Sequence, residues 1–410
     1  MRTSAAFIIW TARRSLNVFS HSSFVNKSGK SGSFVGQLAT LQAGAGKVRY
    51  FQESKFPLLE SRDGDANNIN TDKVRQSLIH SKNVHEILLH AIELLEENSA
   101  PEPTASACHL LSFALKNEFS WEDNGFAQLL KIISSKSYDR ILSEKELSLL
   151  EFEDFLAMLE RRIAKEPLQY IIGQWDFHDC VLKIRSPCLC PRPETEELVE
   201  YAGKDIQQMI NILRIRGDTR NLRVLDVGCG TGAIGLSIAK MFPNDVEVFA
   251  IDVTEDAIEL SRENSEFVLG KKSNYHDPVL SSAAEYSNHN GGKLGEILDF
   301  GYDLVVSNPP YIPLADMYTL DSDVIDFEDQ RALCGGDDGL DVVRDILSRL
   351  PEWCESKLPR AFHPVCWMEV DDSHPILIEE LAEDEENIKF IQGLKDFGGI
   401  DRFVKLEIFN

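Results

Sequence analysis

The chain has 410 residues, 43% of them apolar, enough to bury at least one large core and to form two domains with a tail. No apolar run approaches the roughly 20 residues that cross a bilayer, so the sequence reads as a soluble protein. A formal charge of −25 argues against a nonspecific nucleic-acid binder, which needs clustered Lys and Arg to neutralise phosphates, but leaves room for a basic protein partner.

The charge is uneven along the chain. Residues 1–52 carry seven Lys and Arg and no acid, which leaves 35 basic against 67 acidic residues, a net −32, for the rest. The opening "MRTSAAFIIWTARRSLNVFSHSSF" mixes Arg, Ser and apolar residues at a loosely helical spacing, as an organellar transit peptide does. Its apolar run is too short for a secretory signal. Mitochondrial matrix import is the first expectation and plastid import the second, against the plainer reading of a basic disordered tail. The eight cysteines lack the recurring spacing of a zinc site or a disulfide framework, and no His pair at i, i+4 suggests a metal, so no metal is expected. Reduced, mostly buried thiols fit a matrix-type compartment.

From about Asp72 to Ala164 apolar residues recur at three and four, as in "VHEILLHAIELLEE", "ACHLLSFAL", "FAQLLKII" and "FEDFLAMLERRI", which predicts a helical bundle over residues 53–165. The period then changes. "WDFHDCVLKI" alternates and is rich in aromatic and β-branched residues, so residues 166–190 are expected to form a hairpin linker. Pro193-Glu194-Thr195-Glu196 looks like a helix start, and from there strands and helices alternate over 191–410. Strands are expected at Arg223–Val227, Glu247–Ile251, Asp303–Ser307 and Val365–Val370, with a final pair near Lys389–Leu394 and Arg402–Ile408. Near-continuous apolar strands alternating with helices predict an α/β domain, a doubly wound and mostly parallel Rossmann-like sheet. The polar, Gly/Asn/Ser-rich stretch over 268–298 is expected to be a surface loop insertion.

The first chemical motif follows the first of those strands, in "VLDVGCGTGAIGLSIAK". Asp226 ends the strand; Gly228, Cys229, Gly230, Thr231 and Gly232 make a turn with room for a ligand; an apolar helix follows. Asp252 ends the next strand, where a carboxylate can accept both hydroxyls of a ribose. The stretch Gly230–Gly235 also satisfies the dinucleotide pattern G-x-G-x-x-G, so the glycines alone do not separate a nicotinamide enzyme from a methyl-donor site. Asp226 and the denser G-x-G-x-G favour the methyl donor, because an acid repels a pyrophosphate, whereas S-adenosylmethionine has a positive sulfonium and amine and no phosphate.

The second motif is "VVSNPPYI", which ends the third strand of the same sheet beside the glycine turn. Proline has no amide hydrogen and a fixed φ, so Pro309 and Pro310 end the strand at once and hold the next backbone stiffly. The Asn308 side chain and the Pro309 carbonyl can offer two acceptors to one NH2 group, and Tyr311 a flat face against which a planar group stacks. Such a nitrogen is a poor nucleophile because its lone pair is delocalised, and hydrogen bonding with in-line placement is what positioning can supply. An isolated N-P-P-Y would be read as a strand-ending turn; beside a donor-type glycine turn it reads as a site.

The motifs "EPLQYIIG" (Glu166–Gly173), "PRPETEELVE" (Pro191–Glu200), "LDVGCGTGAIGLSIA", "VSNPPYI", "FEDQRALCGGDDGLDVVRDIL" (Phe327–Leu347) and "DFGGIDRFV" (Asp396–Val404) resemble the HemK/PrmC family, over roughly residues 72–410. Members of that family methylate the glutamine N5 of the Gly-Gly-Gln motif in peptide-chain release factors. The resemblance implies that Asp226, Gly228 to Gly232 and Asp252 bind S-adenosylmethionine, with Asn308 close to the donor. It implies that Asn308, Pro309, Pro310 and Tyr311 hold the substrate glutamine, the catalytic roles falling to Asn308, Pro309 and Tyr311. It also implies that the helical domain contributes to release-factor recognition. "MEVDDSHP" (Met368–Pro375) and the leader resemble the mitochondrial branch most.

Two departures stand out. The acid-aromatic pair that the family often carries before N-P-P-Y has no assignable position in the 268–298 insertion, and Asp329 stands where proline is common. N-P-P-Y is shared with adenine-N6 methyltransferases of DNA and RNA, which would need a basic groove that a −32 body disfavours. A non-catalytic binding protein would have no physical need for the glycines, Asp252 and Asn308 together.

Overall fold

The computed structural model describes residues 71–78, 83–115, 147–271, 273–287, 301–356 and 360–409. The basic leader expected over 1–52 and the helical pattern at Phe126–Ile133 lie outside the described residues.

Four helices begin the described chain: α1 (Thr71–Leu78), α2 (Val84–Glu97), α3 (Pro103–Ala114) and α4 (Leu149–Ile163). α2 starts where the Asn83 side chain accepts from the Glu86 amide at 3.0 Å. α4 starts with a capping box in which the Ser148 hydroxyl takes the Glu151 amide and the Glu151 carboxylate takes the Ser148 amide. Ile87, Leu88, Ala91, Ile92 and Leu95 put one face of α2 into a core shared with Leu110, Leu111, Phe155 and Leu159. A buried guanidinium locks the bundle: Arg162 donates to Ser106 Oγ at 3.0 Å, the Glu166 carbonyl at 2.8 Å and the Pro101 carbonyl at 2.9 Å. The bundle does not end at residue 165 as its period suggested, because the short helix α5 (Leu168–Ile172) adds Leu168, Ile171 and Ile172 to the same core.

Next come β1 (Gln174–Phe177) and β2 (Cys180–Lys183), an antiparallel hairpin. It is more than a linker. Phe177, Cys180 and Leu182 are buried in the core of the following domain, while Trp175 packs against both cores.

The main sheet contains β3 (Leu222–Val227), β4 (Val246–Asp252), β5 (Val279–Leu280), β6 (Leu304–Ser307), β7 (Val365–Glu369), β8 (Ile388–Lys395) and β9 (Asp401–Ile408), in the order β5-β4-β3-β6-β7-β9-β8. The first five are parallel, and β9 runs antiparallel to both β7 and β8. Helices α6 (Pro193–Arg216), α7 (Ala233–Met241), α8 (Glu255–Leu269), α9 (Ser322–Ile325), α10 (Asp341–Trp353) and α11 (His374–Glu383) complete the doubly wound α/β domain. Both faces of the sheet are buried, and successive side chains alternate between them: Val224, Leu304 and Val306 face one core, Leu225 and Val305 the other.

The 268–298 stretch departs from its sequence reading. Residues 273–287 are built into the fold: Val279 and Leu280 pair with Ile251 and Asp252 as the edge strand, and Tyr275 and Tyr286 are buried. Their hydroxyls bond Ser261 Oγ and the Tyr302 hydroxyl, each at 2.7 Å, so two tyrosines anchor a segment whose polar composition suggested a solvated loop. Residues 288–300 lie outside the described residues.

Candidate active site

The parallel pairing of β3 and β6 brings the two sequence motifs together. Val227 lies opposite Ser307, and the Ser307 hydroxyl donates to the Val227 carbonyl at 2.7 Å. Gly228 and Asn308 are therefore neighbours at the carboxyl edge of the sheet, where the chain winds away in opposite directions and open α/β sheets form a crevice. A Cβ on Gly228 would meet the Asn308 carbonyl oxygen at 3.9 Å, and one on Gly230 would meet nothing within 4 Å.

Gly228, Gly230 and Gly232 all have positive φ, of 73°, 53° and 82°. Gly232 is also sterically required, since a Cβ there would lie 2.8 Å from Ser261 Oγ and 2.9 Å from Leu236 Cδ1. The Cys229 and Thr231 side chains are buried, and the Thr231 carbonyl is held by Asn264 Nδ2 at 2.9 Å, so what the turn offers the crevice is mainly backbone.

The two acids divide the work. Asp252 Oδ2 accepts the Gly230 amide at 2.9 Å, and Oδ1 accepts both the amide and the hydroxyl of Thr254 at 3.0 Å. Burial raises its pKa while these bonds hold it down, and each oxygen keeps acceptor capacity at the strand end. Asp226 sits differently from its sequence reading as a ligand-facing acid. It is 0% exposed, and Oδ2 takes the Gly235 amide at 2.9 Å, fastening the first turn of α7 beneath the glycine turn. Gly235 permits this contact, since a Cβ there would lie 2.9 Å from that oxygen.

Burial, reinforced by the charge of Asp252, pushes Asp226 up to about 7. A carboxyl whose folded pKa exceeds its unfolded value favours folding in its protonated form, so this contribution is present below about pH 4 and is lost as pH rises to about 7. Asp226→Asn is therefore expected to gain on the parent between those pH values, by up to about 4 kcal/mol above neutrality. Melting without added donor at pH 5 and pH 8 checks this; an equal difference at both values would overturn it.

The N-P-P-Y corner is clamped on its far side. Ile312 donates to the Leu333 carbonyl and Gly335 to the Ile312 carbonyl, each at 2.9 Å. Gly335 is needed there because a Cβ would come within 2.5 Å of the Pro310 carbonyl oxygen. Asp329, the departure noted in the sequence, caps a short 3-10 turn by accepting the Arg331 amide at 2.9 Å.

Two further side chains reach the corner, and an ion pair braces the segment after it. Asn308 Nδ2 lies 3.2 Å from Thr195 Oγ1, which lies 2.6 Å from Glu369 Oε2, and the Tyr311 hydroxyl donates to Glu369 Oε1 at 3.2 Å. Glu369 is 1% exposed, and its pKa is raised by burial. Arg192 donates to both oxygens of Glu328, at 2.9 and 2.7 Å, joining α6 to the segment after the corner. Thr195, Arg192, Glu328 and Glu369 stand inside motifs legible in the sequence, but spacing alone gave none of them a place at the site.

A family model described as "PrmC N-terminal domain" matches residues 86–173, and one described as "Methyltransferase domain" matches residues 218–270. A release factor glutamine methyltransferase of Bacillus anthracis is 31% identical over 327 residues, covering 79% of this chain and 99% of the relative. The chain belongs to the release factor glutamine methyltransferase family. A human member, named MTRF1L release factor glutamine methyltransferase, is 27% identical over 329 residues, covering 78% of this chain and 86% of that protein. A Clostridium acetobutylicum member is 30% identical over 323 residues, covering 78% of this chain and 97% of its own length. Within this family the PrmC N-terminal match runs from the first turn of α2 through α5, leaving α1 outside it, and the methyltransferase match spans β3 to α8.

Proposed function

We propose that this chain transfers a methyl group from S-adenosylmethionine to the N5 amide of the glutamine in the Gly-Gly-Gln motif of peptide-chain release factors, in mitochondria. The observation that carries the reading is the register placing Gly228 beside Asn308, one side of a single crevice fit for a donor and the other for an amide. The residues suit the donor: the space over Gly230 is open, and Asp252 offers acceptors and negative charge to a cation bearing a ribose. When bound, S-adenosylmethionine would supply a methyl group on a positively charged sulfur.

This chain's residues do the rest. The Asn308 side-chain oxygen and the Pro309 carbonyl accept the two hydrogens of the glutamine NH2, which draws density onto nitrogen and fixes its lone pair toward the crevice. Tyr311 packs the planar amide. The proton leaves after transfer, so no strong base is required. The bundle (53–165 by its sequence bounds, with its core running on to Ile172) recognises the release factor, and 191–410 performs the transfer. Adenine-N6 methylation uses similar amino-group geometry, but a body of net −32 does not favour a nucleic-acid groove.

The test is incubation of the chain with labelled S-adenosylmethionine and either a recombinant release factor or its Gly-Gly-Ala variant, followed by mapping of the label by mass spectrometry. Label on that glutamine in the native factor alone supports the reading; label elsewhere or none overturns it. The basic, acid-free residues 1–52 support mitochondrial import. Fused to a fluorescent reporter they should direct it to mitochondria, and a diffuse cytosolic signal would sink that part.

A further inference from the structure

We propose that Thr195 and Glu369 are positioning residues for the transfer, a buried relay that decides which end of the Asn308 amide meets the substrate. The inference rests on the amide-binding reading of Asn308 above and adds two residues to which that reading gives no role.

The argument is a count of hydrogens. An ionised carboxylate only accepts, and a hydroxyl has one hydrogen to give. Glu369 Oε2 lies 2.6 Å from Thr195 Oγ1, the short separation of a charge-assisted bond, so the Thr195 hydrogen goes to Glu369. Thr195 Oγ1 can then only accept, and the Asn308 atom 3.2 Å away must be its NH2. The side-chain oxygen of Asn308 is thereby the free end, the acceptor that a substrate NH2 requires. Reversing any link reverses the outcome: were Thr195 to donate to Asn308, the amide would turn over and present two hydrogens to a group that also carries two.

The same carboxylate holds the other end of the corner. The Tyr311 hydroxyl donates its single hydrogen to Glu369 Oε1 at 3.2 Å, so one acid on β7 orients both polar side chains of the N-P-P-Y corner that follows the neighbouring strand β6. Burial raises the pKa of Glu369, and the two hydroxyl donors with the nearby positive charge of Arg402, on β9, act against that rise; each of its oxygens faces a hydroxyl, the arrangement of an acceptor. Thr195 is buried at 4% and Glu369 at 1% exposure, so no solvent competes for these bonds. Thr195 is the third residue of α6, which starts at Pro193, and the fixed first turn of a long helix sets its position.

Thr195→Val and Thr195→Ser separate the relay from packing. Valine keeps the shape and loses the hydroxyl; serine keeps the hydroxyl and leaves a small void. If the residue only filled space, valine would be the milder change. The relay predicts that Thr195→Val lowers kcat about 10- to 100-fold, the worth of a hydrogen bond to a charged network. KM for the release factor and donor affinity should move much less, and Thr195→Ser should recover most of the loss. Glu369→Gln, nearly isosteric, should also lower kcat, because its NH2 must point at one of two hydroxyls and reverse it.

A second measurement does not depend on the substrate. With the full chain labelled at 15N-asparagine, Asn308→Ala identifies the Asn308 side-chain amide signals by their loss. Thr195→Val should shift those signals and Thr195→Ser should leave them near the parent position. Equal kcat for the valine and serine variants, or unmoved Asn308 signals in Thr195→Val, overturns the relay. A parent protein that fails to methylate a release factor overturns the functional reading instead, and the asparagine spectra still decide the relay.

Discussion

Asn308→Ala is expected to lower release-factor methylation by on the order of 10²–10³-fold, the range found when one preorganised hydrogen-bonding group is removed from a transition-state site. The side chain is half-buried at the end of β6, bonded through Nδ2 to Thr195, and no strand pairing depends on it. Its loss should therefore leave the fold intact. Donor binding should fall far less than turnover, since the turn at Gly228 to Gly232 is shaped by its own glycines and by Asp252. Calorimetric titration with S-adenosylmethionine beside single-turnover methylation would show the split. A variant that kept most of its activity would remove Asn308 from the chemistry.

The site was legible in the sequence as far as it is built from consecutive residues. A strand, a glycine turn and a helix in "VLDVGCGTGAIGLSIAK" leave little choice of backbone, and a double proline after an apolar run must end a strand. Their adjacency was also inferable, because parallel strands of one sheet present the same end to one crevice. What the sequence did not disclose was the direction of side chains. Asp226 and Asp252 both end strands next to glycines, but Asp252 reaches the turn at the sheet edge and Asp226 turns under α7 to Gly235. The Glu369 relay was likewise hidden, since Thr195, Asn308 and Glu369 are separated by 113 and 174 positions from Thr195 and meet only through β6 pairing with β7 and α6 packing beside them.

The expected strands at Arg223–Val227, Glu247–Ile251, Asp303–Ser307 and Val365–Val370 lie within a residue or so of the observed β3, β4, β6 and β7, because strands buried on both faces are apolar throughout. The 268–298 stretch defeated the same reasoning. Its anchors are single tyrosines spaced among polar residues, and a two-residue edge strand has no period to detect. The hairpin misled differently: its alternation gave the right element, but nothing local says that Phe177 and Leu182 join the sheet domain's core.

Asp303→Ala should do the opposite of Asn308→Ala, costing stability and sparing the chemistry. Asp303 is 0% exposed, directly before β6, at the end of the sheet away from the crevice. Its carboxylate takes a two-pronged bond from Arg220, at 2.7 and 2.9 Å, the Arg223 amide at 3.0 Å and a further bond from Arg360. Its backbone amide donates to the Arg223 carbonyl at 2.8 Å and its carbonyl accepts from Val365 at 3.2 Å, so one residue ties β3, β6 and β7 together where their register begins. Alanine would leave the largely buried guanidiniums of Arg220 and Arg360 without their shared counter-charge and the Arg223 amide without an acceptor. Removing the shared partner of two largely buried charges in this way costs about 3–5 kcal/mol, which for a domain of this size lowers Tm by on the order of 10 °C. At low temperature the folded fraction should still bind the donor and turn over near the parent rate, since no atom of Asp303 reaches the crevice. Thermal melts and urea midpoints, read beside activity per folded molecule, check both halves. An unchanged midpoint would mean that the arginines find solvent, and a large loss of turnover in fully folded protein would mean that the register of β3 and β6, and with it the meeting of Gly228 and Asn308, depends on this one carboxylate.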